Sequence, residues 1–392
     1  MRGPARALVA LALIAGSAAL AWRLATGADP RAAALFAIGI GLGFTLLHAS
    51  FSFAGGLRLF LRERRSAALR AQFLLLGLAT LLLLPVLHAG GLAGYPARGF
   101  VFPTGLALLA GAFLFGIGMQ IGGGCASGTL YTAGGGSLRM ALTLAAFVAG
   151  ATLAAWQAPL WIAWPALPPL SLAGHWGLWP TLAASLALIA LAHAAAARAE
   201  RRRHASLAPL VAVHGARRAR WLRGPWPLLA GAILLALLNL ATLVLAGRPW
   251  AITAAFPLWG AKALEALGAA DPAFWPYWED PTRTEALLRP LAADRMSLMN
   301  LGLLAGAALA ALIAGRRAHL RLRLGEVAAS LLGGLLLGIG AVLATGCNIS
   351  AWIGGTASGS LHGWAWILPA LAGNAAGLRL RPLFGLDPAP AR

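Results

Sequence analysis

The sequence predicts an all-α polytopic integral membrane protein, and three observations carry that prediction. Hydrophobic residues make up 60% of the 392-residue chain and charged residues only 11%, where a soluble domain carries about 25% charge. Mean hydropathy is +0.77. Apolar runs of roughly 20 residues, each long enough to cross about 30 Å of hydrocarbon, recur along the whole length.

About ten spans follow, near 7–25, 32–48, 70–88, 104–120, 138–158, 177–197, 225–247, 296–315, 326–345 and 363–380. The first run follows Arg2 and Arg6 as a signal peptide would, but further spans rather than a soluble domain come after it, so it reads as a retained span. With the N-terminus inside, the cytoplasmic segments take Arg58, Arg62, Arg64, Arg65 and Arg70, the 198–224 loop, the 316–323 loop and the C-terminal tail. The 31 basic residues then divide 23 inside to 8 outside, the bias that sets orientation in a bacterial inner membrane. Both termini are expected to be cytoplasmic. The outside segments, WIAWPALPPLSLAGHWGLWP and AADPAFWPYWEDPTRTEALLRPLAADR, hold clustered aromatics that read as an interfacial belt.

The basic loop 198–224 divides the chain into a membrane half at 1–200 and a second half at 225–392. Its charge is read as setting topology, with a docking surface for a cytoplasmic protein as the alternative. The net charge of +20 does not indicate nucleic acid. The cations lie between apolar runs instead of forming a face interleaved with stacking aromatics, so the bilayer is the partner they imply.

Only two cysteines occur, and CxxC is absent, so no disulfide framework is expected. Both close the same frame: GIGMQIGGGC ends at Cys125 and GIGAVLATGC at Cys347. In the assigned topology the two frames face opposite ways, the signature of an inverted repeat with its substrate site near the midplane. A fainter copy, GLGFTLLHAS at 41–50, has Ser50 where the cysteine would fall. The segments after each cysteine, 121–137 and 346–362, are too polar and too short to cross, and too apolar for free loops. They are read as re-entrant half-helices, tolerated at membrane depth only where buried in protein or lining a cavity.

Half-helix N-termini present unpaired N–H groups and a positive dipole end, which suits an anion. The path residues expected on this ground are Cys125, Cys347, Gly122, Gly123, Gly124, Ser127, Thr129, Gly346, Asn348 and Ser350. The GIG triplets at 116–118 and 338–340 are read as helix packing. Lys262, the sole lysine, sits in an apolar stretch. It is either an intramembrane cation with a role in the path or a marker of the outer interface. His362 is read as structural. A metal protein would need clustered ligands, and GxxxxGK[ST] is absent, so neither a cofactor nor ATP drive within the chain is expected.

These motifs resemble the YeeE/YedE sulfur-transport family. GGGCASGTLYTAGGGSLRMAL is similar to its first signature, GCNISAWIGGTASGSLHGW to its second, and RPWAITAAFPLWGAKALEALG to a central segment of its longer members. The resemblance implies uptake of thiosulfate or a related small sulfur species by a transporter that is not an enzyme. It implies that Cys125 and Cys347 contact the anion in turn, and that a cytoplasmic TusA-like sulfur-carrier protein receives the sulfur. It also puts Ser52, in ASFSFAGG, where the family often carries a third cysteine. Tyr131-Thr132-Ala133 stands where many relatives have a basic residue. The competing reading is a membrane sulfurtransferase that carries sulfur as a cysteine persulfide, for which a helix N-terminus would lower the thiol pKa.

Overall fold

A computed structural model describes residues 15–17, 19–20, 23–24, 26, 30–211 and 223–387. Most of the expected first span, and the middle of the 198–224 loop, lie outside the described residues. Eight helices among the described residues are long and apolar enough to cross a membrane. A further 20-residue helix, Leu361–Leu380, occupies the place of the tenth expected span; it buries His362 and Asn374 and is less apolar. Among the described residues strand is confined to two-residue pairings in the loops, Gly91–Leu92 with Tyr95–Pro96 and Thr104–Gly105 with Ala166–Leu167. The protein is an all-α polytopic membrane protein.

The helices fall into four units of one plan: a long helix, a sharp corner, a short helix, then a second long helix. The first unit is α1 (Pro30–Ala49), α2 (Phe53–Glu63) and α3 (Ala67–His88). The second is α4 (Leu106–Gly122), α5 (Ala126–Gly134) and α6 (Leu138–Trp156). A single helix, α7 (Leu178–His204), follows. The third unit is α8 (Leu228–Ala246), α9 (Ala255–Ala266) and α10 (Arg295–Ile313). The fourth is α11 (Leu324–Leu343), a π-helical turn Asn348–Gly354 running into Gly355–Ala357, and α12 (Leu361–Leu380). Each unit runs out and back, so among the described residues the single helix α7 reverses the third and fourth units relative to the first and second. One unpaired span is enough to generate the inverted repeat.

The units pack across that inversion. α1 lies against α10 and α8, while α4 lies against α11 and α12 and α6 against α11. Small residues allow the backbones to touch. A β-carbon on Gly43 would stand 2.0 Å from the Leu303 carbonyl oxygen, and one on Gly306 2.0 Å from that of Ile40. The GIG triplets do the same work in the other pair. A β-carbon on Gly116 would stand 2.3 Å from the Ala370 carbonyl oxygen, and one on Gly338 2.3 Å from that of Phe147. Packing is therefore their role, as their sequence suggests.

Two expectations need correction. The second outside aromatic group is not a belt: Trp275, Tyr277 and Trp278 are buried, with the Arg283 guanidinium 4.3 Å from the Tyr277 ring centre. Prolines 272 and 276 each open a 3₁₀ turn that folds this segment onto the protein. In the first group, Trp176 and Trp179 are exposed as a belt requires. The 198–224 loop also starts late, since α7 continues through RAERRRH to His204. Glu200 is buried there and accepts from the Ser66 N–H at 3.0 Å and from the Ser66 hydroxyl. That bond ties the end of α7 to the start of α3.

Candidate functional site

Both Gly-Cys corners convert a long helix into a half-helix within three or four residues. α4 ends when Gly123 adopts φ +94° and donates its N–H to the Met119 carbonyl, a left-handed cap for which glycine is the natural residue. Gly122 lies against α11, where a β-carbon on the facing Gly333 would come 2.2 Å from its nitrogen. Gly124 leaves room for Thr129, whose N and Oγ1 would each stand 3.1 Å from an added β-carbon. Cys125 then caps α5: its sulfur accepts from the Gly128 N–H at 3.4 Å and lies 3.3 Å from the Ser127 hydroxyl oxygen.

The second corner repeats this with different partners. Gly346 takes φ +149°, and Cys347 starts the π-helical turn. The Cys347 N–H donates to the Ser350 hydroxyl at 3.1 Å, and that hydroxyl reaches back to the sulfur at 3.8 Å. Both cysteines are free and buried.

Ser52 holds the matching position in the first unit. It caps α2, and its hydroxyl accepts from the Gly55 N–H at 3.0 Å. The faint sequence copy pointed to Ser50, but Ser50 is exposed and stands two residues before the cap. The cap position is therefore Ser52, Cys125 and Cys347 in three of the units. In the third unit it is Ala254, which has no side chain able to cap.

The half-helices converge at their N-termini and diverge at their far ends. The far end of α5 meets the 314–323 segment, where the Leu138 N–H donates to the His319 carbonyl at 3.0 Å. The far end of the fourth-unit half-helix meets the opposite set of loops. There the Ser358 hydroxyl accepts from the Phe100 N–H at 2.9 Å, and the Leu361 N–H donates to Leu170 at 3.1 Å. At the near ends, Cys125 and Cys347 are close enough to interact electrostatically. The Tyr131 hydroxyl interacts with the Ser52 side chain and lies within reach of Cys125. Trp352 closes one side, with its ring centre 6.4 Å from that of Phe53 and 6.1 Å from that of Phe73.

Polar groups at this meeting point are buried and underused. Both atoms of the Asn348 amide, and the Thr129 hydroxyl, have no hydrogen-bond partner among the described residues. A buried polar group left in that state costs about 1–3 kcal/mol. Two helix N-termini add roughly half a positive charge each. The centre therefore offers donors and soft sulfur to an anion and holds no carboxylate of its own among the residues named.

The structure thus brings together Cys125, Cys347, Ser52, Ser127, Thr129, Asn348, Ser350 and the glycines of both corners. Lys262 stands apart from these contacts: it pairs with Glu265 at 2.9 Å, and the Glu265 side chain is 54% exposed. Its place fits the interfacial reading. His362 bonds through Nδ1 to the Ser360 hydroxyl at 2.7 Å, under the Phe102 ring. The sequence reading noted Tyr131 only as part of a stretch lacking a basic residue and passed over Trp352; the signal for both was their position within the two signature stretches.

The model of one protein family, described as sulphur transport, matches residues 48–376, from the end of α1 through most of α12. The chain belongs to that sulphur transport family. It is 29% identical over 170 residues to the "Probable transporter YedE" of Escherichia coli (strain K12), and 31% identical over 171 residues to the protein of that name from Salmonella typhimurium. Each match covers 42% of this chain and 40% of the relative's length. Both cysteine corners fall inside the stretch matched by the family model.

Proposed function

We propose that this protein carries thiosulfate, or a related small sulfur oxyanion, into the cytoplasm across the bacterial inner membrane, between its opposed half-helices. The observation behind this reading is the meeting of two buried thiols at helix N-termini that point at each other from opposite faces. A divalent oxyanion cannot enter hydrocarbon bare, so the protein must replace its hydration shell. N–H groups of the two corners, the hydroxyls of Ser127, Thr129 and Ser350, and the Asn348 amide supply donors for the oxygens. The thiols of Cys125 and Cys347 are weak, polarisable donors matched to a terminal sulfur. Several weak contacts in series suit passage, because the ion has to leave as well as enter. Ser52 keeps a donor at the third cap but lacks a thiol's softness. On arrival the sulfur passes to a cytoplasmic acceptor of the TusA-like carrier class.

Substitution of the thiols tests the reading in a bacterium deficient in thiosulfate uptake and grown on thiosulfate as sole sulfur source. Serine keeps a small donor, so Cys125→Ser and Cys347→Ser should retain partial uptake. Alanine removes the contact and should cost about 1.4 kcal/mol, roughly a tenfold loss of rate. A persulfide-carrying enzyme predicts equal, complete loss in both series and the added mass of one sulfur atom on the wild-type protein after incubation with thiosulfate. Full uptake by the double alanine variant would refute both readings.

A further inference from the structure

Four arginines gather beyond the Gly122–Gly124 corner, although the sequence scatters them over 324 positions and reads the earliest of them as topology-setting charges. Arg139, at the start of α6, donates to the Ile121 carbonyl at 2.9 Å. Its guanidinium carbon would stand 3.5 Å from a β-carbon on Gly123, and its buried Nε has no partner among the described residues. Arg381, at the end of α12, donates to the Gln120 carbonyl at 2.6 Å. Arg62 lies on α2, the half-helix that Ser52 caps. Arg58, half-buried on the same half-helix, makes no hydrogen bond or ion pair with any described residue. It interacts electrostatically with Arg381, Arg62 and Arg139, against a single carboxylate, Asp387. Glu326 lies within reach of Arg139, and Glu63 of Arg62.

The way Asp387 is held shows what the cluster binds. Its carboxylate takes Arg62 Nη1 at 2.8 Å and Nη2 at 2.5 Å, and Arg381 Nε at 3.0 Å. Two guanidinium groups thus share one planar oxyanion from the C-terminal tail, the bidentate geometry that arginine also offers to sulfate and phosphate groups. Arg58 and the Nε of Arg139 remain unused. Like charges gathered this closely repel one another unless an anion sits among them. Asp387 is the one carboxylate bonded within the group; Glu326 and Glu63 reach only Arg139 and Arg62, so Arg58 keeps part of that repulsion.

We propose that Arg58, Arg62, Arg139 and Arg381 form a second binding site, for a divalent tetrahedral oxyanion from solution, in which the Asp387 carboxylate is the resident anion that the incoming one displaces. As a station on the route away from Cys125 this rests on the transport reading; as a binding site it stands by itself. A dianion would engage Arg58 and Arg139 as well as the two arginines that Asp387 already uses. Exchange with a tethered carboxylate also keeps the site from holding its ligand too tightly to release it.

The test is equilibrium binding of radiolabelled inorganic sulfate to the purified full-length protein in neutral phosphatidylcholine nanodiscs at low salt. Arg58→Gln removes no bond that the fold uses, and it should weaken binding about tenfold, the worth of one charged contact. Asp387→Asn removes the competitor and should tighten binding by about threefold or more. A gain of that sign cannot come from misfolding. Unchanged binding in Arg58→Gln, or no gain in Asp387→Asn, overturns the proposal. Loss of sulfate binding when phosphatidylglycerol is added would make a lipid headgroup the occupant, which also overturns it. Failure of the wild type to take up thiosulfate would remove the transport reading while leaving these binding results legible.

Discussion

At Gly346 an added β-carbon would lie 2.2 Å from the Ser350 hydroxyl oxygen, on a backbone at φ +149°. Gly346→Ala therefore brings steric overlap and backbone strain together, for about 2 kcal/mol or more. The expected outcome is a lowered thermal midpoint in detergent and loss of uptake, both read on the purified and reconstituted protein; an unchanged midpoint would show that the corner relaxes freely. A second residue prediction concerns Asp387. Its hydrogen bond with Arg62, and then the one with Arg381, hold its carboxyl down to about 2, against an ordinary aspartate value of about 3.9. Because the folded value is the lower one, the stabilisation is full above about pH 4 and drains away as pH falls toward 2. The difference in thermal midpoint between wild type and Asp387→Asn should be constant from pH 7 to about 4 and narrow below it. At this scale the cysteines and Asn348 were readable because each sits in a repeated or polar frame within an apolar chain. Arg58 and Arg381 were not. Their partnership exists only once α2 and the C-terminal tail meet, and each alone resembles an ordinary topology-setting charge.

Among the elements, the long helices were legible from apolar length, and the corners from glycine runs that no ordinary span would tolerate. What could not be read was where each short helix ends up, since that depends on contacts made at its far end with loops distant in sequence. The burial of FWPYW was hidden for the same reason, aromatic clusters beside spans being common at interfaces. The seams between long helices give a sharp expectation. Gly43→Val and Gly338→Val place side chains where carbonyl oxygens of α10 and α6 now lie, 2.0 and 2.3 Å from the first added carbon. Packing cannot absorb that without moving a helix. Both variants should lose most of their monodisperse protein in fluorescence-detected size exclusion. Gly16, with no atom of the described residues within 4 Å of an added β-carbon, should accept alanine silently.

For the whole molecule, the inversion produced by α7 makes a prediction about sides. In a background with both native cysteines replaced by serine, single reporter cysteines at 206–211 and at 271–290 should label from opposite faces, the former only after permeabilisation. Labelling of both from outside intact cells would contradict the odd crossing. The arginines of RAERRRH set orientation by number and are exposed. Arg201→Ala, Arg202→Ala and Arg203→Ala together should therefore leave uptake within about threefold of wild type, since redundant charges tolerate loss. Near-total loss with normal insertion would instead mark a docking surface for a sulfur-carrier protein. Overall architecture was the most readable level, because charge bias and apolar length act over the entire chain and do not depend on any one contact.

The pairing of the first unit with the third, and of the second with the fourth, also limits how the protein moves. Those seams are backbone against backbone, so sliding one half past the other by even part of a helical turn would drive carbonyl oxygens into α-carbons along α1, α4 and α6. Sliding of one half along the other is thus opposed by close packing at these seams. The compliant parts are the half-helix corners, with their glycines, weak sulfur contacts and unsatisfied amide. On the proposed route, opening would then be a local adjustment at Cys125 and Cys347, the working habit of a channel-like filter more than that of a pump.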